Sequence, residues 1–271
     1  MANEKVFNES VPEAELKIFY NPRREINRLI KEGDYRRLLI KAAELHGHFC
    51  VGLALGVKAS LIALKKLGVE LPDRDVSEHV RQELIAVVDN NLCFVDGVQM
   101  IVGSTLGNNS LVFRDMGRLS LTLIDRRSGR AVRVSLLRRI STPTTEHPRF
   151  NELFQKAMIR REELSPEEAE EFRSLMDRAS LEVIAASEED NFKVEEFIVE
   201  DMSEFEKRDP PGKWVNCSHC GSVVMESKAR KKEDRYYCAE CAGDEVNAVV
   251  GRRIVKVNAG SIVKLSRVRR V

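Results

Sequence analysis

Apolar positions along this chain change period several times, and each change marks an element. Ile26, Leu29 and Ile30 sit at helical spacing, with Gly33 as a stop. Asp34 stands where an N-cap belongs, and Leu38, Leu39, Ala42, Ala43, Leu45 and Phe49 then follow one helical face. From Leu53 to Leu67 the apolar residues Leu53, Leu55, Val57, Ala59, Leu61, Ile62 and Leu64 predict a buried core helix. Gly68 is its expected left-handed cap, and Leu71-Pro72-Asp73 confirms the stop. Gly47, Gly52 and Gly56 carry no side chain and allow backbone to approach closely.

The period then shortens. Leu84–Val88 predicts a strand, and a polar break at Asp89-Asn90-Asn91 precedes a helix starting near Cys93, with Asp96 near its N-terminus. Leu111–Arg114, Leu119–Asp125 and Ala131–Leu137 predict three strands, the last two joined by an Arg126–Gly129 turn. Phe150–Arg161 predicts a helix. Ser165-Pro166-Glu167-Glu168 reads as a capped start of another, reaching Ala186 and burying Phe172, Leu175, Met176 and Leu181. Phe192–Val199 predicts a further strand, and Asp209-Pro210-Pro211-Gly212 the clearest boundary. A cysteine module, a β-prone stretch over Val246–Val257 and a tail at Ile262–Val271 complete the chain. The fold class expected is α+β. A mixed helix–sheet core domain spans 1–208, with a motif region at 35–140 and a helical extension at 144–190. A small zinc-finger domain spans 209–271.

Composition adds limits. The 271 residues carry 44 Lys and Arg against 43 Asp and Glu, which excludes a uniformly basic nucleic-acid coat. Charge is nevertheless blocked. Residues 146–206 hold 19 acids and 7 bases, residues 114–139 hold 8 bases and 2 acids, and residues 251–271 hold 7 bases and no acid. Such blocks predict either solvated faces or complementary surfaces, and on the second reading a C2 homodimer. No apolar run approaches the about 18 residues of a membrane span, and the first ten residues lack the apolar core of a signal peptide. A cytoplasmic location is expected, since four of six cysteines form CxxC pairs that suit metal in a reducing compartment.

Cys217-x2-Cys220 and Cys238-x2-Cys241 can close a thiolate tetrahedron around structural Zn2+, at Zn–S distances of about 2.3 Å. A redox pair and a 2Fe–2S site are the rival readings. His219, inside the first knuckle, is expected to point away. Lys228, Arg230, Lys231, Lys232 and Arg235, followed by Tyr236 and Tyr237, suit phosphate contact and base stacking; alternatively the tyrosines cover the small zinc core.

His46, His48 and Cys50 form a second constellation, and Cys93 is the remaining cysteine. Borderline and soft ligands suit Zn, Fe, Ni or Cu. If the two stretches meet, His48, Cys50 and Cys93 hold a second transition metal, with Zn2+ first choice. His46 and Asp96 then orient a ligand or move a proton beside it, and Cys50 and Cys93 either ligate or react. Core histidines with inert cysteines, or a Cys–His nucleophile pair, are the alternatives.

These stretches, HGHFCVGLALG and NNLCFVDGVQMIVGSTLGNNSLVFRDMGRL, resemble the FmdE family, named for a component of molybdenum formylmethanofuran dehydrogenase. His46, Gly47, His48, Cys50, Gly52 and Gly56 match its first motif; Cys93, Asp96, Gly97 and Gln99 its second; Thr105, Gly107, Asp115 and Gly117 its third. Val51 replaces a usual Pro, Ser104 a frequent third Cys and Arg118 a usual Lys. The resemblance implies an α+β core with a metal site at the His/Cys motif and a treble-clef-like zinc finger. It further implies an accessory enzyme or subunit in microbial one-carbon metabolism acting on a small molecule. The rival function is a regulatory zinc protein that engages nucleic acid or a protein partner through its basic C-terminal module.

Overall fold

The computed structural model describes residues 22–69, 84–187, 191–206 and 213–261. The chain is α+β and divides into two compact units at Glu200/Asp201. The Asp209–Gly212 boundary, the Leu71–Asp73 stop and the tail from Ile262 lie outside the described residues.

The first unit opens with α1 (Arg24–Glu32), α2 (Tyr35–His46) and α3 (Val51–Leu67). Their ends are local chemistry. Gly33 closes α1 at φ 69°, Asp34 Oδ1 accepts the Arg37 N–H at 3.0 Å, and Gly68 closes α3 at φ 69°. Then follow β1 (Leu84–Val88), α4 (Cys93–Val102), β2 (Leu111–Phe113), β3 (Ser120–Asp125) and β4 (Arg130–Leu136). Short α5 (Pro143–Glu146), α6 (Pro148–Phe154), α7 (Pro166–Ala185) and β5 (Phe192–Ile198) complete it. The sheet order is β2-β1-β3-β4-β5, parallel between β1 and β2 and antiparallel elsewhere.

Period two along the strands sends Ala86, Val88, Leu121, Leu123, Val132 and Val134 into one core with Leu53, Val57 and Phe94. Helix α3 is buried around most of its circumference, which explains its apolar run. It crosses α4 without side chains between. A Cβ on Gly97 would lie 2.6 Å from the Leu53 carbonyl oxygen and 2.7 Å from the Val57 nitrogen, and one on Gly56 would enter the Phe94 carbonyl. A Cβ on Gly52 would stand 3.3 Å from that of Cys93. Gly47 serves differently: it caps α2 at φ 93° with nothing within 4 Å.

Two expectations change. The helix expected over Phe150–Arg161 ends its α-helical part at Phe154. It widens into a π-helical turn, Gln155–Ile159, closed by Arg160 N–H on the Gln155 carbonyl at 2.9 Å. Helix α7 has the expected Ser165–Glu168 capping box but buries a different face. Ala179, Ser180, Val183 and Ile184 are buried, Phe172, Leu175 and Met176 are only half-buried, and Leu181 is exposed. The reason is that α3 lies against the second half of α7, where small side chains permit close approach. Buried Lys58 of α3 donates to the carbonyls of Ile184 (3.0 Å) and Ala186, a cation at the negative end of α7.

The second unit contains α8 (Ser203–Glu206) and three hairpins: β6 (Trp214–Asn216) with β7 (Val223–Met225), β8 (Arg230–Lys232) with β9 (Arg235–Tyr237), and β10 (Glu245–Val250) with β11 (Arg253–Asn258). A one-turn helix, α9 (Ala239–Ala242), precedes β10. Among the described residues no helix is long and apolar enough to cross a membrane.

Candidate metal centres

In the second unit, the Sγ atoms of Cys217, Cys220, Cys238 and Cys241 all lie within 4.8 Å of one another. Cys217 and Cys220 follow β6, on a turn closed by Gly221 at φ 76°, whose N–H meets the Cys217 carbonyl at 2.8 Å. Cys238 is the N-cap of α9 and accepts the Cys241 N–H at 3.4 Å. Cys220 and Cys238 sulfurs are 3.9 Å apart, close to the about 3.8 Å edge of a tetrahedron with Zn–S of about 2.3 Å. Backbone N–H groups, first that of Cys220 and then that of Cys238, pull Cys217 down to about 6. Cys241, hydrogen-bonded to Cys238, is pushed up. Four clustered thiols do not all ionise without a cation, so the donor set fits a metal. His219 does not point away: its Nδ1 lies 3.4 Å from the Cys241 sulfur, within reach to donate to it.

In the first unit, α2 ends at His46, Gly47 turns the chain, His48 and Phe49 cross the gap, and Cys50 caps α3 by accepting the Leu53 N–H at 3.4 Å. This turn is why His46, His48 and Cys50 converge although no single helix face carries all three. Their ligand atoms lie within 4.8 Å of one another. The rings of His46 and His48 are 4.5 Å apart, and His48 is exposed.

His46 is held from behind. Its Nδ1 lies 2.7 Å from Asp96 Oδ2, and Gln99 Nε2 donates to the other carboxylate oxygen at 3.0 Å. Nε2 of the same ring faces Cys50 Sγ at 3.8 Å. Sequence reasoning places Gln99 in a motif without giving it a task; its position three residues after Asp96 on α4 is the signal that could have supplied one. Burial would lower the His46 pKa, but the hydrogen bond to Asp96 and the negative charge nearby outweigh it and raise the pKa.

Cys93, first residue of α4, is not in the mutually close group of three. Its thiol is electrostatically linked to that of Cys50 and to His46. Interaction with the Cys50 thiol, aided by the charge of His46, pulls Cys93 down to about 5, while Cys50 is pushed up by the same interaction and by burial. The donor set, two imidazoles with one or two thiolates, fits a borderline transition metal better than Mg2+.

The departures from the family pattern now have positions. Val51 is the first residue of α3, where Pro is favoured for its fixed φ. Arg118 donates to buried Asp89 at 2.8 Å beside Arg114, strapping the loop that leads to Cys93. Ser104 is buried and donates to the Leu84 carbonyl at 3.3 Å, just beyond the end of α4 opposite Cys93 and about 15 Å along that helix. A cysteine there would not join this centre. Thr105 and Gly107 belong to a turn at the same far end, held by Asn108.

A mixed sheet under crossing glycine-contact helices, with a His/Cys cluster at their shared N-terminal end and a four-cysteine cluster in the second unit, defines an α+β protein with two candidate metal centres. The chain belongs to the FmdE family: the family model described as "FmdE, Molybdenum formylmethanofuran dehydrogenase operon" matches residues 45–193. A relative from Archaeoglobus fulgidus, named a probable S-adenosyl-L-methionine-binding protein, is 38% identical over 226 residues, 81% of this chain. The chain spans only 56% of that relative. A solved FmdE-like protein of the tungsten formylmethanofuran dehydrogenase type, from Syntrophus aciditrophicus, is 21% identical, with a TM-score of 0.44 over 77% of this chain and 92% of that one.

Proposed function

We propose that His46, His48, Cys50 and Cys93 hold a transition metal, Zn2+ by preference, and that the chain acts there on a small one-carbon or cofactor-like substrate. The setting is an accessory enzyme or subunit of formylmethanofuran-related metabolism in the microbial cytoplasm. The observation that carries this reading is the Asp96–His46–Cys50 line, 2.7 Å on one side of the imidazole and 3.8 Å on the other. A carboxylate behind a ligating histidine fixes its tautomer and aims the free nitrogen.

Each residue has a separate task. Asp96 holds the Nδ1 proton of His46, and Gln99 holds Asp96. Cys50 and Cys93 sit at the positive ends of α3 and α4, which favours thiolate. Exposed His48 leaves the centre reachable from solvent. When bound, the metal would supply Lewis-acid polarisation of a substrate oxygen. S-adenosyl-L-methionine is the first ligand to titrate, because the A. fulgidus relative is named for it. The four C-terminal cysteines hold a second, structural Zn2+ on this reading. The opposed charge blocks support a homodimer, with light scattering giving twice 30.8 kDa; 30.8 kDa at all concentrations refutes it.

The test is metal counting on full-length protein purified without added metal. Two equivalents per chain are expected, falling to one in Cys50→Ser and to one in Cys238→Ser. A single equivalent in the unaltered chain that Cys238→Ser abolishes sinks the first-unit centre.

A further inference from the structure

The metal-centre reading leaves one surface of the second unit without a task. Residues 213–271 carry 13 Lys and Arg against six Asp and Glu, whereas residues 1–212 carry 31 against 37. The balanced total therefore conceals a basic module on an acidic chain.

Part of the charge is paired internally: Arg230 pairs with Asp244, and Lys213 with Glu226 at 3.8 Å. Lys231, Lys232 and Arg235 on the β8–β9 hairpin are exposed and form no ion pair among the described residues. Lys232 and Arg235 are directly opposed across the hairpin, a placement in which like charges repel. Arg252, Arg253 and Lys256 of the β10–β11 hairpin are likewise exposed, with no ion pair among the described residues.

Aromatic faces accompany these cations. Lys231 Nζ lies 5.7 Å from the centre of the Tyr236 ring, and Lys232 Nζ lies 6.0 Å from that of Tyr237. Trp214 is 59% exposed, on β6, which lies against β9. Cysteines flank this arrangement: Cys217 follows β6 and Cys238 follows β9.

We propose that the C-terminal module binds single-stranded nucleic acid. Lys231, Lys232 and Arg235 neutralise consecutive phosphates, and Trp214 offers a face on which an unpaired base stacks. Single strands are favoured over duplex because the cations lie beside aromatic faces, with Trp214 exposed, and such faces stack on unpaired bases but not on bases already stacked within a duplex. An acidic polypeptide would satisfy the cations but gives Trp214 no base to stack on. The inference does not depend on the metal centre of the first unit.

The experiment is fluorescence anisotropy of the full-length, zinc-loaded chain with labelled oligo-uridine, oligo-thymidine and a duplex of equal length. Single strands should bind more tightly than duplex. With about three phosphates neutralised, affinity should fall about 20-fold between about 50 and 200 mM salt. The triple variant K231Q/K232Q/R235Q should bind at least about tenfold more weakly at low salt, with a flatter salt slope. Trp214→Ala should weaken binding about fivefold or more. Unchanged zinc content in each variant verifies that the module is folded. The proposal is overturned by absent binding at low salt, by duplex binding as well as single strands, by poly-glutamate competing as well as unlabelled RNA, or by unchanged affinity in either variant.

Discussion

Gly97 lies so close to Leu53 that a Cβ would stand 2.6 Å from the Leu53 carbonyl oxygen. That approach seats the start of α4 beside the start of α3 and so brings Cys93 to Cys50. That oxygen and the Val57 nitrogen, 2.7 Å from the same Cβ, are helix backbone and have little room to yield. Gly97→Ala should cost at least the upper end of the about 1–3 kcal/mol typical of overpacking. Denaturant unfolding measures this, and metal counting should show the first-unit equivalent lost with it. Near-normal stability would mean that the α3–α4 crossing has room for a methyl group.

On the proposed reading Asp96 acts on the centre through His46, whose Nδ1 lies 2.7 Å from its carboxylate. Asp96→Asn keeps the shape and removes the carboxylate, so metal affinity at the first-unit centre should fall about 10–100-fold. Gln99→Leu should produce a smaller fall, since it only orients the acid. Competition against a chromophoric chelator reads both, with the four-cysteine site as an internal control that should not move.

Cys238 contributes both a sulfur of the four-cysteine cluster and the N-cap of α9. Cys238→Ser should release one zinc and unfold the module around the four cysteines, while the first unit keeps its cooperative transition. Amide exchange resolved by segment is the measurement. An intact, fully zinc-loaded module in the variant contradicts the four-thiolate assignment.

Glu182 gives a pH prediction. Burial would raise its pKa, but hydrogen bonds from Thr142 and from the backbone and hydroxyl of Thr144 prevail, and the pKa is lowered. A depressed folded-state pKa contributes stability above the unfolded value of about 4.3, and that contribution is lost as pH falls through the folded value. Stability should therefore decline on acidification below about pH 4.3, less steeply in Glu182→Gln. Glu182→Leu should cost about 1–3 kcal/mol at neutral pH, because the buried Thr144 donors lose their acceptor.

Features closed by hydrogen bonds within a few residues were legible in the chain itself. The Asp34 cap, the Gly33 and Gly68 stops, the Ser165–Glu168 box, the Arg126–Gly129 turn and both CxxC pairs are of this kind. The sheet strands were legible within a residue or two as short β-prone apolar runs between turns; β1 and β3 are buried on both faces and so do not alternate. The His46-x-His48-x-Cys50 spacing announced a donor cluster, because three donor side chains within five residues need only one turn to converge.

Direction and partnership were decided by the tertiary structure. Which face of α7 is buried depends on where α3 lies, and no period within α7 records that. Asp96 could orient a histidine, hold water or carry a proton on sequence grounds; only the tertiary structure sets it 2.7 Å from His46 Nδ1, behind the ring. His219 turns toward Cys241 rather than away because the two knuckles fold onto each other. Composition along one chain specifies what each segment buries and which atoms it offers. Only the packing of distant segments, here through two glycines that admit no Cβ, sets which of those atoms meet.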